Sequence, residues 1–156
     1  VTGVQTCALP IFNLLSAMWG LRAFVRAVPR GRPAAALLFS SAAARIGLVN
    51  HEAIAAAKAG IDGLTISAAA TYAARGIRVN AIAPGLVRSN LTRRLVENEG
   101  VLRASEQMHP LGRIGEADDV AALAALLVSP ATAWVTGQTI AVDGGLSGLK
   151  LPPRAG

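Results

Sequence analysis

The stretch "IRVNAIAPG", residues 77–85, decides the fold. Five of its first seven residues are apolar, and Pro84–Gly85 ends the run with turn-forming residues. Near-continuous apolar composition over this length is typical of a strand that is covered on both faces, as in a parallel sheet. The run "AAALLFS" at 34–40, also bounded by turn residues, predicts a second strand of the same kind.

Segments with helical periodicity alternate with these strands. The apolar spacing predicts a last short strand at 138–145 and helices at 13–28, 51–76, 91–107 and 115–130. Strands alternating with helices of this length indicate parallel βαβ units with right-handed crossovers. We therefore expect an α/β fold with a parallel sheet between two helical layers.

Composition excludes several functional classes. The 156 residues suffice for one domain with a core, and the net charge is +6. The arginines are scattered along the chain, which indicates a solvated surface and no nucleic-acid partner. No apolar run approaches the roughly 20 residues that span a bilayer, so we expect no membrane association.

The first eleven residues, "VTGVQTCALPI", differ from the rest. They carry no charge, no helical period and the only cysteine, Cys7. They resemble a translated sequencing-library adapter, so we expect 1–11 to be non-native, 12–150 to be the native domain and 151–156 an irregular tail. Without Cys7 the native part has no thiol chemistry, which fits the cytoplasmic location that we expect.

Polar side chains follow both predicted strands. Ser40 and Ser41 come directly after the first strand, and "APGLVRSN" at 83–90 closes the second. Ligands of open parallel sheets bind beyond the carboxyl ends of the strands. The sequence therefore predicts a pocket at this edge of the sheet.

Five motifs occur in an order and spacing typical of one enzyme family. They are "FSS" at 39–41, "AAAKAG" at 55–60, "RGIRVNAIAPGLV" at 75–87, "PLGRIGEADDVAALAALLVS" at 110–129 and "VTGQTIAVDGG" at 135–145. From 13 to 146 the chain resembles the C-terminal part of a short-chain dehydrogenase/reductase, near the 3-oxoacyl-carrier-protein-reductase-like branch. The resemblance implies part of a Rossmann-type, doubly wound parallel sheet with three αβα layers.

The resemblance also implies catalytic roles. Asn13 corresponds to a helix asparagine that holds a water for proton relay, and Ser41 to the serine that hydrogen-bonds the substrate oxygen. Lys58 corresponds to the lysine that binds the nicotinamide ribose and lowers the pKa of a catalytic tyrosine. The substrate implied is a small carbonyl compound or alcohol.

The implied cofactor is NAD or NADP. Pro84, Gly85 and Val87 correspond to the turn that shapes the nicotinamide pocket, with a Val87 backbone contact to the carboxamide. Ser89 lies where the family often has a threonine with the same task, and Lys58 adds its ribose contact. The glycine-rich phosphate loop of the family is not found in this chain. A homodimer or homotetramer is implied, with the 51–76 helix and the last strand at the interfaces.

Ile54 occupies the position of the family's tyrosine. It lies thirteen residues after Ser41 and four before Lys58, and its side chain neither donates nor accepts a proton. His51, one helical turn earlier, can serve as an alternative acid, since histidine donates protons at neutral pH. Tyr72 cannot, because a rise of about 1.5 Å per residue puts it about 27 Å away, as a core or interface residue. The remaining alternative is Ser41 with a water held by Asn13.

The other ionisable side chains have structural interpretations. Glu52 and the pair Asp118–Asp119 lie in first helical turns, where acids suit the helix dipole, and Asp62 is expected to be solvated. His109 falls in a predicted loop and is interpreted as structural. No cluster has the spacing of a metal site.

The leading hypothesis is an NAD(P)-dependent oxidoreductase that transfers hydride between nicotinamide and a carbonyl or alcohol substrate. Its proton donor would be altered and its cofactor site truncated. Two alternatives stay open: an inactive family member that serves in binding or regulation, and a gene fragment without function.

Overall fold

The computed structural model describes residues 8–152. Cys7 and most of the segment expected to be adapter-derived lie outside the described residues, as do the last four residues of the expected tail. Ala8–Pro10, at the end of that segment, are helical and open the first helix.

Three parallel strands form the sheet. They are β1 (Ala34–Phe39), β2 (Ile77–Pro84) and β3 (Thr139–Val142), in the order β1-β2-β3. In register, Ala34 pairs with Ile77 and Phe39 with Ile82, while Pro84 pairs with Val142. The predicted strands are confirmed to within a few residues, and all carboxyl ends lie at one edge.

Five helices connect and cover the strands. They are α1 (Ala8–Ala27, with a π-helical turn at Ile11–Leu15), α2 (Glu52–Tyr72), α3 (Arg93–Val96), α4 (Glu99–Met108) and α5 (Ala117–Val128). The prediction that 91–107 is helical is largely confirmed, but the structure divides this stretch into two helices, α3 and α4. The chain breaks between α3 and α4 because Asn98 starts a new helix, its side chain accepting the N–H of Val101 at 3.1 Å.

The helices lie on both faces of the sheet. On one face α1 and α2 pack against β2 in a buried cluster made of Leu21, Val25, Ala68, Ala69, Ile77 and Val79. Tyr72 packs against this cluster, as predicted. On the other face α5 covers β1 and β2 and buries Leu127. The predicted three-layer α/β architecture is confirmed.

Asn80, a polar residue inside β2, ties the sheet to the loop before β3. Its side chain is 1% exposed. The amide donates to the carbonyl of Val135 at 2.9 Å, and Oδ1 accepts the N–H of Gln138 at 3.0 Å. Both bonds span more than fifty residues of chain, so Asn80 fixes where β3 joins the sheet.

Two arginines next to β2 cap helices, contrary to the expectation of a purely solvated arginine surface. Arg75 donates to the carbonyls of Val25 and Val28 at the end of α1, at 3.0 and 3.1 Å. Arg78 donates to the carbonyl of Leu127 in the last turn of α5 and to two carbonyls beyond it, those of Ser129 and Val135. The last carbonyls of a helix lack partners within it, and the five N–H groups of a guanidinium can supply several.

Two helices are long and apolar enough to cross a membrane, judged by length and composition alone: Ala8–Ala27 and Glu52–Arg75. The sequence reasoning missed them because it counted uninterrupted apolar runs, whereas alanine-rich helices reach this hydropathy with charges included. Core helices pass the same test, and α2 buries Ala57, Ile61 and Ala68 against the sheet. The outer side of α1 carries an exposed apolar stripe, namely Ile11, Phe12, Leu15, Met18 and Trp19.

The first turn of α5 contains the charges predicted there. Glu116 and Asp119 form a capping box, in which each side chain accepts the other residue's backbone N–H. The Arg113 guanidinium donates two hydrogen bonds to the Asp119 carboxylate, at 2.6 and 2.9 Å. The hydrogen bonds from Arg113 and from the Glu116 backbone lower the pKa of Asp119 from 3.8 to about 2.

We expect this pair to make the folding stability depend on acid pH. Because the folded pKa of Asp119 lies below its unfolded value, its contribution is complete above about pH 4 and fades as the pH falls toward 2. Asp119→Asn should therefore lower Tm at pH 6, and the difference from the unmodified chain should close near pH 2. Asp118→Asn in the same turn is the control. A constant difference across pH would contradict the prediction.

Candidate active site

A cavity of about 520 Å³ lies beyond the carboxyl ends of β1 and β2. Ser41, His51, Ile54, Pro84 and Gly85 line it together. The prediction that the loops after the two adjacent strands share one pocket is therefore confirmed for these residues. Further lining residues come from α3, α4 and the segment after β3.

Ser41 is positioned by a short 3-10 helix, Ala42–Ala44, that follows β1. Its backbone is extended, and its Oγ accepts the N–H of Ala43 at 3.1 Å as the cap of that helix. Since Oγ acts only as the acceptor in this bond, the hydroxyl proton can be donated to a ligand. Ser41 is thus held in place while keeping its donor.

His51 and Ile54 line the same cavity from the first turn of α2. His51 stands at the N-cap position without a side-chain capping bond, and its Nδ1 lies 2.8 Å from the carbonyl of Val49. A carbonyl can only accept, so Nδ1 is the donor in this contact, and Nε2 takes no part in it. Ile54 gives the wall a half-buried apolar group.

Lys58 does not line this cavity. Its ammonium donates to the carbonyl of Phe39 at 2.9 Å, at the end of β1 and two residues before Ser41. Burial lowers the pKa of Lys58. Ser40, whose role the sequence did not indicate, is buried and donates its hydroxyl to the Lys58 carbonyl at 3.1 Å. Ser40 and Lys58 therefore fasten α2 to the end of β1.

Asn13 also lies away from the cavity. It sits in the π-helical turn of α1, and its amide donates to the carbonyl of Leu9 at 3.0 Å. The neighbouring Leu14 presses on α2, where a Cβ at Gly60 would come within 2.7 Å of it. The π-helical turn that contains Asn13 thus packs against α2, while the Asn13 side chain bonds within α1, and its predicted water-relay role stays a prediction.

Gly85 and His109 form a close contact at the floor of the cavity. A Cβ at Gly85 would lie 2.7 Å from His109 Nε2 and 3.1 Å from the Cα of Asp143, so only glycine fits. His109 is 3% exposed; its Nδ1 lies 2.6 Å from the Ser105 carbonyl, and its Nε2 accepts the N–H of Leu86 at 3.3 Å. The histidine interpreted as structural therefore joins α4 to the turn after β2.

Asp143, directly after β3, stabilises the chain next to Gly85 and His109. It accepts the N–H groups of Gly145 and Ser147, both at 2.9 Å, and the Ser147 hydroxyl. Burial raises the pKa of Asp143, but the Ser147 and Gly145 hydrogen bonds and the nearby His109 outweigh it, and the pKa is lowered overall. The sequence reasoning missed this carboxylate because it placed "VDGG" inside the last strand; the glycine pair after Asp143 is the turn signal that could have indicated it.

Val87 and Ser89 lie in the loop that leaves the Pro84–Gly85 turn. Val87 forms an isolated parallel bridge with Gly115, and its carbonyl accepts the Thr92 hydroxyl at 2.6 Å. The Ser89 hydroxyl lies 3.0 Å from that of Thr92. Neither residue lines the cavity, so their predicted cofactor contacts stay predictions.

The remaining ionisable residues behave mainly as expected. Glu52 lies in the first turn of α2. Asp62 does not have the solvated carboxylate that we expected: it is half-buried, and Oδ1 is enclosed without a hydrogen-bond partner in the described part of the chain. Within residues 8–152, no group of three or more His, Cys, Asp or Glu side chains could hold a metal ion.

Two curated relatives are similar along most of the chain. Galactitol 2-dehydrogenase (L-tagatose-forming) from Cereibacter sphaeroides is 41% identical over 138 residues, which are 85% of this chain and 53% of that protein. The 3-oxoacyl-[acyl-carrier-protein] reductase FabG of Chlamydia pneumoniae is 39% identical over 135 residues, covering 86% of this chain and 54% of that protein. The chain thus spans about half the length of these relatives.

A solved structure and a family model agree with them. A protein assigned as a 2-deoxy-D-gluconate 3-dehydrogenase from Agrobacterium tumefaciens, solved with bound NADP, superposes with a TM-score of 0.81 at 35% identity, covering 86% of this chain and 55% of that one. Residues 10–147 match the family model described as Enoyl-(Acyl carrier protein) reductase. With the fold and the motifs, these similarities show that the chain belongs to the short-chain dehydrogenase/reductase family.

Proposed function

We propose that this chain forms part of an NAD(P)-dependent oxidoreductase that interconverts a carbonyl compound and the corresponding alcohol, with His51 in place of the missing tyrosine. The observation that carries the proposal is the shared cavity of Ser41, His51 and the Pro84–Gly85 turn in a member of this family. The relatives bear names of dehydrogenases and reductases, which supports the same class of reaction.

The residues around the cavity fit a nicotinamide cofactor, which would supply or accept the hydride. The Lys58 ammonium has three N–H groups, and the bond to Phe39 uses one, so others can meet ribose hydroxyls. Gly85 lets the backbone approach closely where a side chain would collide with His109. Val87 supplies backbone atoms in the loop beyond. The choice between NAD and NADP is left open.

The proton step is assigned to Ser41 and His51. In reduction, the Ser41 hydroxyl donates a hydrogen bond to the substrate oxygen, on which negative charge develops as hydride reaches the carbon. The protonated His51 ring gives its Nε2 proton to that oxygen, while Nδ1 stays bonded to the Val49 carbonyl. Oxidation reverses these transfers, and the neutral ring accepts the proton.

The proposed assembly is a homodimer or homotetramer in the cytoplasm. The exposed apolar stripe of α1 supports association, because a contiguous apolar helix face is costly to leave in water. The proposed domain organisation keeps 12–150 as the native part, within a longer protein, and 1–11 as adapter-derived.

We expect His51→Ala to lower kcat at least about 100-fold, since general acid catalysis contributes about 10²–10⁴ in rate. The measurement is NADH- and NADPH-linked reduction of a panel of ketones by the complete gene product that contains this chain. Glu52→Ala is the matched control, since this neighbouring exposed acid does not line the cavity.

Unchanged turnover in His51→Ala would assign the proton to a water beside Ser41. No turnover of any ketone by the unmodified protein would instead favour the second candidate, a family member that binds without reacting. Ile54 is the specific observation behind that candidate, since it replaces the family's proton donor.

A further inference from the structure

The polar groups of the cavity are unevenly distributed. On the side formed by the β1 loop and α2, the Ser41 hydroxyl proton and His51 Nε2 are available to a ligand. The bond from Ala43 uses a lone pair of Ser41 Oγ, and the bond to Val49 uses His51 Nδ1. Both belong to the site of the proposed function: the Ser41 hydroxyl can donate to a substrate oxygen, and Nε2 can donate to the same oxygen when the His51 ring is protonated. This side therefore receives the carbonyl or hydroxyl of a substrate.

On the side formed by α4, the side-chain O–H and N–H groups that could act as donors are bonded to other atoms of the protein. The Ser105 hydroxyl donates to the Val101 carbonyl at 2.8 Å. His109 is bonded through both ring nitrogens, to Ser105 and Leu86. These bonds leave no side-chain N–H or O–H on this side to donate to a substrate oxygen, so a carbonyl or carboxylate oxygen bound here would stay unpaired, and buried unpaired polar groups are costly.

The rest of the wall is apolar. It consists of aliphatic and thioether side chains from several elements, including Leu48, Ile54, Leu86, Leu95, Val101 and Met108. Among the described residues that line the cavity there is no Lys, Arg, Asp or Glu. A carboxylate on the part of the substrate away from His51 would thus meet no Lys or Arg side chain, and its burial would go uncompensated.

We propose that this cavity takes an uncharged substrate with one oxygen function and an apolar body. The oxygen lies at Ser41 and His51, and the body packs against α3 and α4. The volume of about 520 Å³ is ample for a substituted six-membered ring. This proposal rests on the proposed function for the identity of the site and names its substrate class. It sets the chain apart from its polyol-oxidising relative.

The test compares three ketones by ligand-observed NMR titration of the complete gene product that contains this chain: 4-methylcyclohexanone, 4-oxocyclohexanecarboxylate and L-tagatose. The first two differ only by a methyl and a carboxylate at one ring position. We expect 4-methylcyclohexanone to bind at least tenfold more tightly than either of the others. Equal or tighter binding of the carboxylate or of the sugar would overturn the proposal, as would no binding of 4-methylcyclohexanone.

A charged side chain introduced into the cavity wall tests whether the ketones bind in this cavity. Val101→Arg adds a cation at the cavity, at a residue that is 38% exposed and can carry it without unfolding α4. We expect it to tighten 4-oxocyclohexanecarboxylate binding at least fivefold and to weaken 4-methylcyclohexanone binding. Leu91→Arg adds the same charge at a residue that is 93% exposed and outside the cavity, and thermal melts check the folding of both variants. Identical affinities in the two variants would show that the ketone binds elsewhere.

Binding and turnover separate the two proposals. Selective binding of 4-methylcyclohexanone without reduction by the complete gene product would leave the substrate class standing and defeat the proposed oxidoreductase. Reduction that prefers the carboxylate or the sugar would defeat the substrate class and leave the oxidoreductase standing.

Discussion

In a His51→Ala background, Ile54→Tyr is expected to raise kcat for ketone reduction by about 10²–10⁴, the usual contribution of a positioned general acid. Position 54 lines the same cavity as Ser41, so a phenol there would stand beside the group that holds the substrate oxygen. Lys58 lies one helical turn further along α2, and its ammonium is held at the end of β1. A nearby ammonium lowers the pKa of a phenol and makes it a better proton carrier.

The substitution should be tolerated by the fold. Ile54 is half-buried and faces a cavity of about 520 Å³, so the larger ring can occupy open space. Both residues are compatible with a helix interior, with similar intrinsic propensities. We therefore expect the melting temperature to change little while turnover rises. An unchanged melting temperature would show that the higher turnover comes from the chemistry and not from a larger amount of folded protein.

Ile54→Phe is the matched control, since it adds the same ring without the hydroxyl. If the phenol acts as the acid, Ile54→Tyr alone gains activity, and adding Lys58→Met removes most of the gain. Equal activity of the tyrosine and phenylalanine variants would contradict the assignment of position 54. A gain in Ile54→Tyr where the unmodified protein has no measurable turnover would favour the binding-protein alternative for the natural sequence.

Asn80→Leu is expected to lower the free energy of unfolding by about 2–4 kcal/mol. The replacement has a similar size, but it strips the partners from the Val135 carbonyl and the Gln138 N–H, which the Asn80 amide bonds at 2.9 and 3.0 Å. At 1% exposure of Asn80, water cannot readily replace the lost bonds. Leucine would also crowd the loop that brings β3 to the sheet.

Chemical denaturation followed by circular dichroism measures this loss. Asn90→Leu serves as the control, because Asn90 is exposed and its side chain accepts a bond only from the nearby Arg93 in the described part of the chain. We expect the control to change the free energy of unfolding by less than about 0.5 kcal/mol. A similar small change for Asn80→Leu would show that the β2–β3 connection does not depend on this amide.

Local pattern was sufficient to predict most of the fold. The apolar runs that became β1 and β2, and the alanine-rich α2, have signals contained within a few residues, and the structure confirms them. The break between α3 and α4 was missed because one capping asparagine, Asn98, interrupts an otherwise helical pattern. The bonds of Asn80, Arg75 and Arg78 were missed because they join residues about fifty positions apart, and no local period reports such pairs.

The part of the site that lies at the carboxyl edge of the sheet could be predicted from the sequence. Ser41 and Pro84 follow neighbouring parallel strands, so their shared cavity follows from topology. Helical spacing alone placed Lys58 beside Ile54, but the ammonium donates to the Phe39 carbonyl at the end of β1, a contact that the sequence does not reveal. The apolar character of the cavity depends on which bonds Ser105 and His109 make, and that required coordinates.

The two arginine caps link helix ends to the middle strand. Arg75 and Arg78 flank the start of β2, and their guanidinium groups hold carbonyls at the ends of α1 and α5. Helix termini ordinarily fray independently of the rest of a domain, at little cost. Here the last turns of α1 and α5 cannot open without breaking bonds to residues at the head of β2. The ends of α1 and α5, on opposite faces of the sheet, are thus both bonded to the start of β2. We expect these two helix ends to open together instead of separately.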